Sequence, residues 1–343
     1  MDHKSQEIRL INQQGKPNFG LWTGEIFDVN LQNYQRGGLC SLLKLIREKR
    51  WQYVGIYGQK VQIGLAVVDT GYLGNVFCYA YDKEQGRLTE IERNVPLAMG
   101  IRCDRNVASG TARFASKSEQ VIITNDIFKG ERQIQVNLTG KGTDIKIQAA
   151  LKDDMKSVQP LQIVTPTAEE DFTFTHKSAG LPVSGTLEMN GRLITFDGEK
   201  EFGAIDYTFG FPAYHTVWNW ASMAGLAEDG TVVGLNLVAP IHHDTFNENC
   251  LWIGGQMIKT GPALFEFDSK NTLQDWQIKT ADSKVNLTFH PLGKRQQNIN
   301  AIVISSRFQQ PFGFFSGQLR GEDNTVYQLK DVPGVVEDHE AYW

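Results

Sequence analysis

The sequence contains no long hydrophobic run. No stretch approaches the roughly 18 consecutive apolar residues that a membrane-spanning helix needs. The N-terminal residues also show no apolar segment behind a basic region, which a secretory signal peptide would have. We therefore expect a cytoplasmic protein without a transmembrane segment.

Positive charge is not in excess either. The 343 residues include 34 lysines and arginines against 39 aspartates and glutamates, which gives a formal net charge of -5. A nucleic-acid-binding protein needs a basic surface to neutralise phosphates, so this balance predicts no nucleic-acid partner. The four cysteines, Cys40, Cys78, Cys103 and Cys250, are far apart with no CxxC spacing, so we expect reduced thiols.

Several nucleotide-binding and catalytic motifs are also missing. The sequence has no GxGxxG segment opening a helix, no GxxxxGK phosphate loop and no GxSxG nucleophile elbow. The adjacent His242 and His243 would point to opposite faces of a strand, so they could not easily bind one metal ion. These absences predict a protein with no cofactor and no metal site.

What the sequence contains in quantity is β-strand signal. Apolar and polar residues alternate at 133–138 and again at 145–148, with a glycine-rich turn at 139–144 between them. Similar runs recur along the chain, separated by short turns such as Asn190-Gly191. Many short strands with close turns predict a mostly β protein of antiparallel sandwiches or up-and-down barrels.

One helix and a two-part organisation are also predicted. Leu39, Leu42, Leu43 and Ile46 fall at i, i+3, i+4 and i+7, which indicates one short amphipathic N-terminal helix over residues 39–50. The chain length suits about two domains. The C-terminal residues 337–343 are polar but end in two aromatics, and we expect them to dock onto a barrel as a lid or plug.

The stretch 201–220 is the strongest candidate for a functional site. Asp206 lies there among aromatic residues, and a buried carboxyl has a raised pKa that lets it donate a proton near neutral pH. The alternative is that Asp206 accepts backbone N–H groups at a turn. His215 is a candidate proton acceptor or a structural histidine. The predicted ligand-binding aromatics are Tyr207, Phe209, Tyr214, Trp218 and Trp220.

Four segments resemble one uncharacterised bacterial family, domain of unknown function 2804. They are KRWQYVGI at 49–56, KEFGAIDYTFG at 200–210, YHTVWNWA at 214–221 and EDHEAYW at 337–343. The resemblance covers nearly the whole chain. It supports the fold and implies no activity.

A more distant resemblance is to the carotenoid 1,2-hydratase and tocopherol-cyclase-like group. The order of AspxxxGly at 206–210, TrpxTrp at 218–220 and AspGly at 229–230 is similar to that group, in which two lipocalin-like barrels join near such a motif. The resemblance implies two antiparallel lipocalin-like (calycin) barrels or strongly curved sheets, in domains at 1–205 and 206–343. Hydratase-like members usually continue the aspartate as AspHisGluTrp, whereas this chain reads AspTyrThrPhe, so only Asp206, Trp218 and Trp220 carry over.

Three functional hypotheses follow. The first is that the protein binds a hydrophobic, isoprenoid or lipid-like molecule in an aromatic cleft near the barrel junction. The second is a cofactor-independent hydratase, cyclase or isomerase that acts on an alkene, with Asp206 as general acid and the aromatic rings stabilising a developing cation. The third is a structural or stress-related protein in which the aromatic stretch is only core.

Overall fold

The computed structural model describes residues 9–22, 31–34, 46–168, 171–240, 246–301 and 304–343, and this part of the chain is almost entirely antiparallel β. Its helical residues are a 3-10 turn at Leu31–Asn33 and the pair Ile46 and Arg47. Two curved sheets, each a half-barrel, contain all of the strands.

The first sheet contains the first thirteen strands. Their bounds are β1 (Gly20–Leu21), β2 (Lys49–Tyr57), β3 (Val61–Asp69), β4 (Leu73–Asp82), β5 (Arg87–Pro96), β6 (Ile101–Cys103), β7 (Thr111–Ala115), β8 (Gln120–Asp126), β9 (Glu131–Gly140), β10 (Thr143–Lys152), β11 (Leu161–Ala168), β12 (Asp171–Met189) and β13 (Arg192–Gly210). The order across the sheet is β5-β4-β3-β2-β13-β12-β10-β9-β8-β7-β6, with β11 also paired to β12 and β1 to β11. The long strands β12 and β13 therefore lie at its centre.

The second sheet contains the remaining nine strands. Their bounds are β14 (His215–Leu226), β15 (Val232–Ala239), β16 (Cys250–Ile253), β17 (Gln256–Lys259), β18 (Ala263–Glu266), β19 (Trp276–Thr280), β20 (Val285–Ala301), β21 (Ile304–Arg320) and β22 (Val326–Tyr342). The order is β17-β16-β15-β14-β22-β21-β20-β19-β18. The C-terminal strand β22 is thus central, between β14 and β21.

Alternation of side chains along the strands forms the core. In β9 and β10 the apolar residues at 134, 136, 138, 145 and 147 are buried, and most polar residues between them are partly or fully exposed, as the sequence pattern predicts. Trp220, Trp252 and Val335 of the second sheet belong to the same buried cluster as Tyr53 and Val54 of the first. The two sheets therefore pack on each other through one shared core.

The predicted fold class is confirmed: the protein is mostly β, in two strongly curved antiparallel sheets. Most of the predicted helix, 39–45, lies outside the described residues. The prediction that the helix continues through Lys49 and Arg50 is wrong, because β2 begins at Lys49. The C-terminal segment docks as predicted, but as a central strand and not as a lid or plug. The physical reason is that its backbone completes the hydrogen bonding of both neighbouring strands.

The chain passes from the first sheet to the second between Gly210 and His215. A division into domains at 205/206 stays a prediction. Among the described residues, Cys78, Cys103 and Cys250 are buried free thiols, whereas Cys40 lies outside them. No helix in the described ranges is long and apolar enough to cross a membrane.

Candidate ligand cavity

Two rows of side chains cross the face of the first sheet that is turned toward the second sheet. Residues directly opposite each other on neighbouring strands point to the same face, so the pairing register identifies each row. The first row consists of Lys177, Asp206, Tyr53, Ala66 and Phe77. The second row consists of Thr175, Thr208, Trp51, Val68 and Asn75.

Two further rows of side chains lie on the face of the second sheet that is turned toward the first. Trp220 lies opposite Glu337, and Gln310 of the next strand lies opposite Arg295. The other row consists of Trp218, His339, Phe308 and Gln297. Both rows place aromatic and ionisable side chains side by side on one face.

A cavity of about 790 Å³ lies between these faces. Every residue of the four rows except Gln310 lines it. Its volume is within the range of about 300–1,000 Å³ that is typical of small-molecule sites in proteins. The cavity also reaches the exposed residues His215 and Val217, so its rim lies at the start of β14.

Asp206 belongs to an ion triad whose centre is Lys177. Oδ2 of Asp206 lies 3.0 Å from Nζ of Lys177, and the same Nζ lies 2.8 Å from Oε2 of Glu248. Thr208 donates its hydroxyl to Oδ1 of Asp206 at 3.1 Å. Asp206 lies inside the continuous strand β13, so the interpretation of it as a turn residue is wrong.

The triad joins the two halves of the molecule, because Lys177 and Asp206 belong to the first sheet and Glu248 precedes β16 of the second. Burial disfavours the Lys177 ammonium, but Asp206 and Glu248 outweigh it and raise the pKa of Lys177 above its ordinary value. Burial raises the pKa of Asp206, and the Lys177 ammonium opposes that rise. Lys177 is therefore held as a cation inside the cavity wall.

Glu337 is the third carboxyl that lines the cavity, in addition to Asp206 and Glu248. Trp218 donates its indole N–H to Oε2 of Glu337 at 3.0 Å, and Gln310 donates its amide to Oε1 at 2.6 Å. Burial raises the pKa of Glu337 to about 7, while these two hydrogen bonds limit the rise and the nearby Asp206 adds to it. Glu337 is thus a carboxyl group that exchanges a proton near neutral pH.

His339 lies two residues farther along β22, on the same face as Glu337. Its Nε2 atom is 2.9 Å from the hydroxyl of Ser306, and its ring lies edge-on to Trp218 with centroids 4.1 Å apart. Burial, together with the nearby Arg307 and Arg295, lowers the pKa of His339 to about 3. The imidazole is therefore neutral at physiological pH.

Arg295, on β20 of the second sheet, is the other cation that lines the cavity. Its guanidinium lies 3.9 Å from the centre of the Phe77 ring and forms ion pairs of 3.0 Å with Glu90 and 2.8 Å with Glu92. Only 1% of its side chain is exposed. Because Glu90 and Glu92 belong to β5 and Arg295 to β20, this second ion cluster also links the two sheets.

Three buried tyrosines, Tyr53, Tyr57 and Tyr79, pack between the sheets beside the cavity. Two glycines make room for their rings. Gly55 and Gly64 are direct cross-strand partners, and a Cβ atom at either position would overlap the ring of Tyr57 or Tyr79 respectively. The glycine pair therefore serves as a flat platform for two aromatic rings.

The structure brings only some of the predicted site residues together. Asp206, Trp218 and Trp220 line the cavity, and His215 lies at its exposed rim, where its Nε2 is 2.9 Å from Oε1 of Glu340. Tyr214 is 56% exposed and lies outside the cavity, against Tyr342.

Tyr207 and Phe209 point away from the cavity. They pack with Phe172, Phe174 and Tyr34 in a separate cluster on the other face of the first sheet. The reason is the period of two in β13, because Asp206 and Thr208 face the cavity and their neighbours must face outward. The sequence interpretation assigned both faces of one strand to one site. That assignment is wrong for Tyr207 and Phe209.

Sequence reasoning missed Lys177, Glu248 and Arg295 and did not assign a role to Glu337. A partial signal was present for Glu337, which stands in the recognised segment 337–343 with the aromatic Tyr342 and Trp343. No sequence signal pairs Lys177 with Asp206, because their contact depends on the strand register. No group of three or more metal-binding side chains occurs in the described residues, and His242 and His243 lie outside them.

A family model described as "Domain of unknown function (DUF2804)" matches residues 2–343. A search of curated proteins by sequence finds no match. Among solved structures, CghA with Sch210972 has a TM-score of 0.53 at 10% identity, with 96% of each chain covered. This likeness shows a shared fold.

Two further solved structures are similar over most of their lengths. One is an ATTH-like protein from Nitrosomonas europaea, with 12% identity, a TM-score of 0.48, and 87% of this chain and 92% of that chain covered. The other is kievitone hydratase from Nectria haematococca, with 12% identity, a TM-score of 0.44, and 86% of this chain and 88% of that chain covered.

Proposed function

Since this chain belongs to the family described as domain of unknown function (DUF2804), we propose its function from its cavity: it binds a hydrophobic, isoprenoid or lipid-like molecule between its two sheets. The observation that carries this proposal is the cavity of about 790 Å³ with aromatic walls. CghA, which shares the fold, was solved with Sch210972. We further propose that binding takes place in the cytoplasm, which the buried free thiols support.

The arrangement of the walls supports an apolar ligand. Trp218, Trp220, Phe77 and Phe308 face the cavity from both sheets, so a ligand between them removes apolar surface from water on two sides. The two lining cations, Lys177 and Arg295, are already paired with protein carboxyls. The aromatic rings therefore offer the main contact surface for a ligand.

Filling the cavity tests the binding function. Val68→Phe adds an aromatic ring to the lining, whereas Val326→Phe makes the same change at an exposed position. We expect the neutral dye Nile red, and lipid found by mass spectrometry of the gently purified protein, to bind wild type and V326F but to bind V68F at least about tenfold more weakly. Equal binding by all three proteins, or none by wild type, would contradict the proposal.

A second candidate function is acid-catalysed chemistry on an alkene. The observation that favours it is a pair of buried carboxyls in different states, Glu337 with a pKa of about 7 and Asp206 paired with Lys177. Two carboxyls whose surroundings separate their protonation are the usual arrangement for an acid and an anionic stabiliser. We therefore assign the proton donor to Glu337 and a counter-ion role to Asp206.

The reaction balances without a cofactor. The π electrons of the alkene form a C–H bond to the Glu337 proton, which leaves a carboxylate and a carbocation beside Trp218 and Trp220. Water then adds to the cation and releases a proton, or the cation loses a neighbouring proton, or a second alkene closes a ring. Ring closure leaves a new carbocation, which in turn loses a proton or adds water, so the Glu337 carboxylate regains a proton in each case. His215 lies at the rim beside Glu340, so we do not assign it the proton transfer.

A panel of isoprenoid alkenes tests this second function. We expect Glu337→Gln to lower turnover by about 100-fold or more, because the amide has no acidic proton, and Asp206→Asn to lower it less. The reverse order would return the acid role to Asp206. If wild type turns over no member of the panel but binds Nile red, the protein is a binding module, and if it does neither, a structural role remains.

A further inference from the structure

Carboxyl groups outnumber cations around the cavity. Lys177 and Arg295 are the lysine and arginine that line it, and each is paired with two carboxylates, Asp206 and Glu248 for the lysine and Glu90 and Glu92 for the arginine. Glu337 is a fifth carboxyl and forms no ion pair among the described residues. Asp206, Glu248 and Glu337 line the cavity itself, so three carboxyl groups accompany two cations there.

The aromatic walls also favour a positively charged ligand, by a different mechanism. The π face of an aromatic ring carries partial negative charge and attracts cations. The protein's own cations already use this attraction, since Lys177 lies 5.5 Å from the Trp220 ring and Arg295 lies 3.9 Å from Phe77. Trp51, Trp218 and Trp343 present further indole rings to the same cavity.

Nδ1 of His339, a lining residue, has no hydrogen-bond partner in the described part of the chain. The residue is 7% exposed. Nδ1 can accept an N–H when the Nε2–H tautomer donates to Ser306. Because an unpaired buried polar atom is costly, a ligand that brings a polar hydrogen with it would satisfy this nitrogen.

We propose that the cavity selects a hydrophobic ligand that carries a positively charged nitrogen, as an amine does, and that it rejects fatty carboxylates. The inference rests on the proposed binding function and narrows it to a ligand class. A carboxylate ligand would have to lie among groups of its own negative charge. An ammonium ligand would offset the excess negative charge of the carboxyls and contact the faces of the indole rings.

Glu337 gives this selectivity a measurable signature. The groups that face it are Trp218 and Gln310 as hydrogen-bond donors, Asp206 and Lys177 as charges, and Tyr57 and Tyr79 from the first sheet. An ammonium bound in this cavity favours the ionised form of Glu337, so binding releases a proton near pH 7. A neutral ligand releases less, and a carboxylate takes a proton up.

Three probes of equal chain length test the proposal: decylammonium, 1-decanol and decanoate. We expect tryptophan fluorescence titrations at pH 7 to show decylammonium binding at least about tenfold more tightly than decanoate, with 1-decanol between them. Isothermal titration calorimetry in two buffers of different ionisation enthalpy then measures how many protons are released or taken up for each ligand molecule bound. Decanoate that binds as tightly as decylammonium would overturn the proposal.

Two variants separate this inference from the general binding function. Glu337→Gln removes the proton that is released and keeps the shape of the side chain, so we expect proton release on decylammonium binding to disappear. Glu188→Gln makes the same change at an exposed site on β12 and should leave both 1-decanol binding and this proton release unchanged. If 1-decanol and decanoate bind but decylammonium does not, only the charge selectivity fails. If no probe binds, the proposed function fails as well.

Discussion

Trp218 donates its indole N–H to the carboxyl of Glu337 across two neighbouring strands of the second sheet, at 3.0 Å. The hydrogen bond stabilises the ionised carboxylate more than the neutral acid, so it holds the pKa of Glu337 lower than burial alone would set it. One aromatic residue of the cavity wall therefore has two roles, apolar contact and control of a proton.

Replacing Trp218 by Phe removes this donor and keeps an aromatic ring. We expect the pKa of Glu337 to rise above about 7, and infrared spectroscopy of the protonated carboxyl band as a function of pH measures it. Trp220→Phe is the matched control, because the Trp220 indole donates to Asn236 and not to Glu337. Identical shifts in both variants, or none in W218F, would contradict the assignment.

Glu337 should also make the stability of the protein depend on pH. Its pKa in the folded state is about 7 against an ordinary value of 4.5, so the folded state retains a proton that the unfolded state has lost between these values. The contribution of Glu337 to the free energy of unfolding is therefore highest below about pH 4.5. It falls as pH rises to about 7, by an amount on the order of 3 kcal/mol.

Urea unfolding at intervals between pH 4.5 and 8 checks this expectation. The difference between wild type and Glu337→Gln isolates the contribution of Glu337 from that of Asp206, whose pKa is raised in the same direction. We expect E337Q to gain stability relative to wild type as pH rises to 7. A pH-independent difference would show that Glu337 has an ordinary pKa.

Lys177→Met should destabilise the protein strongly at pH 7. It leaves the buried Asp206 without its cation beside the partly buried Glu248, and breaking a buried ion pair costs about 3–5 kcal/mol. The loss should be smaller at pH 5, where Asp206, whose pKa is raised by burial, takes up a proton more easily. Chemical denaturation at both pH values measures the two losses.

The exposed pair of Lys146 and Glu188 provides the control for this prediction. Lys146→Met should change the free energy of unfolding by less than about 1 kcal/mol, as is usual for surface ion pairs. Adding Asp206→Leu to K177M should recover part of the lost stability by removing one of the unpaired charges. A double variant as unstable as K177M alone would argue against the pairing.

Gly64→Ala tests the glycine platform beneath the tyrosines. The added Cβ overlaps the ring of Tyr79, and overpacking of this kind costs about 1–3 kcal/mol. In the Tyr79→Leu background the ring is gone, so the same alanine should cost clearly less. A double-mutant cycle of thermal or urea unfolding measures this coupling, and additive effects of the two changes would exclude the clash.

The strand content of this protein was predictable because it rests on local rules. The alternation at 133–138 and 145–148 and the turn at Asn190-Gly191 each specify a strand or hairpin from neighbouring residues alone, and all were confirmed. The same rule applied to β13 would have separated Asp206 from Tyr207 and Phe209. That error came from treating residues close in sequence as residues on one face.

The membership of the cavity was not predictable in the same way. Lys177 meets Asp206 through the register of β12 and β13, and Glu337 meets Trp218 through the pairing of strands more than 100 residues apart. No local pattern encodes such a pairing, because the partner of a strand is decided by how the whole sheet closes.

By itself, the sequence determined a mostly β chain and its family resemblance, and it pointed to Asp206, Trp218 and Trp220, which line the cavity, since these follow from side-chain period and local motif. Only the tertiary structure decided what surrounds them: a lysine cation beside Asp206, and a neutral histidine and the Glu337 carboxyl beside Trp218. The physical reason is that burial and charge pairing, which set how these groups ionise, exist only once both sheets have closed over the cavity.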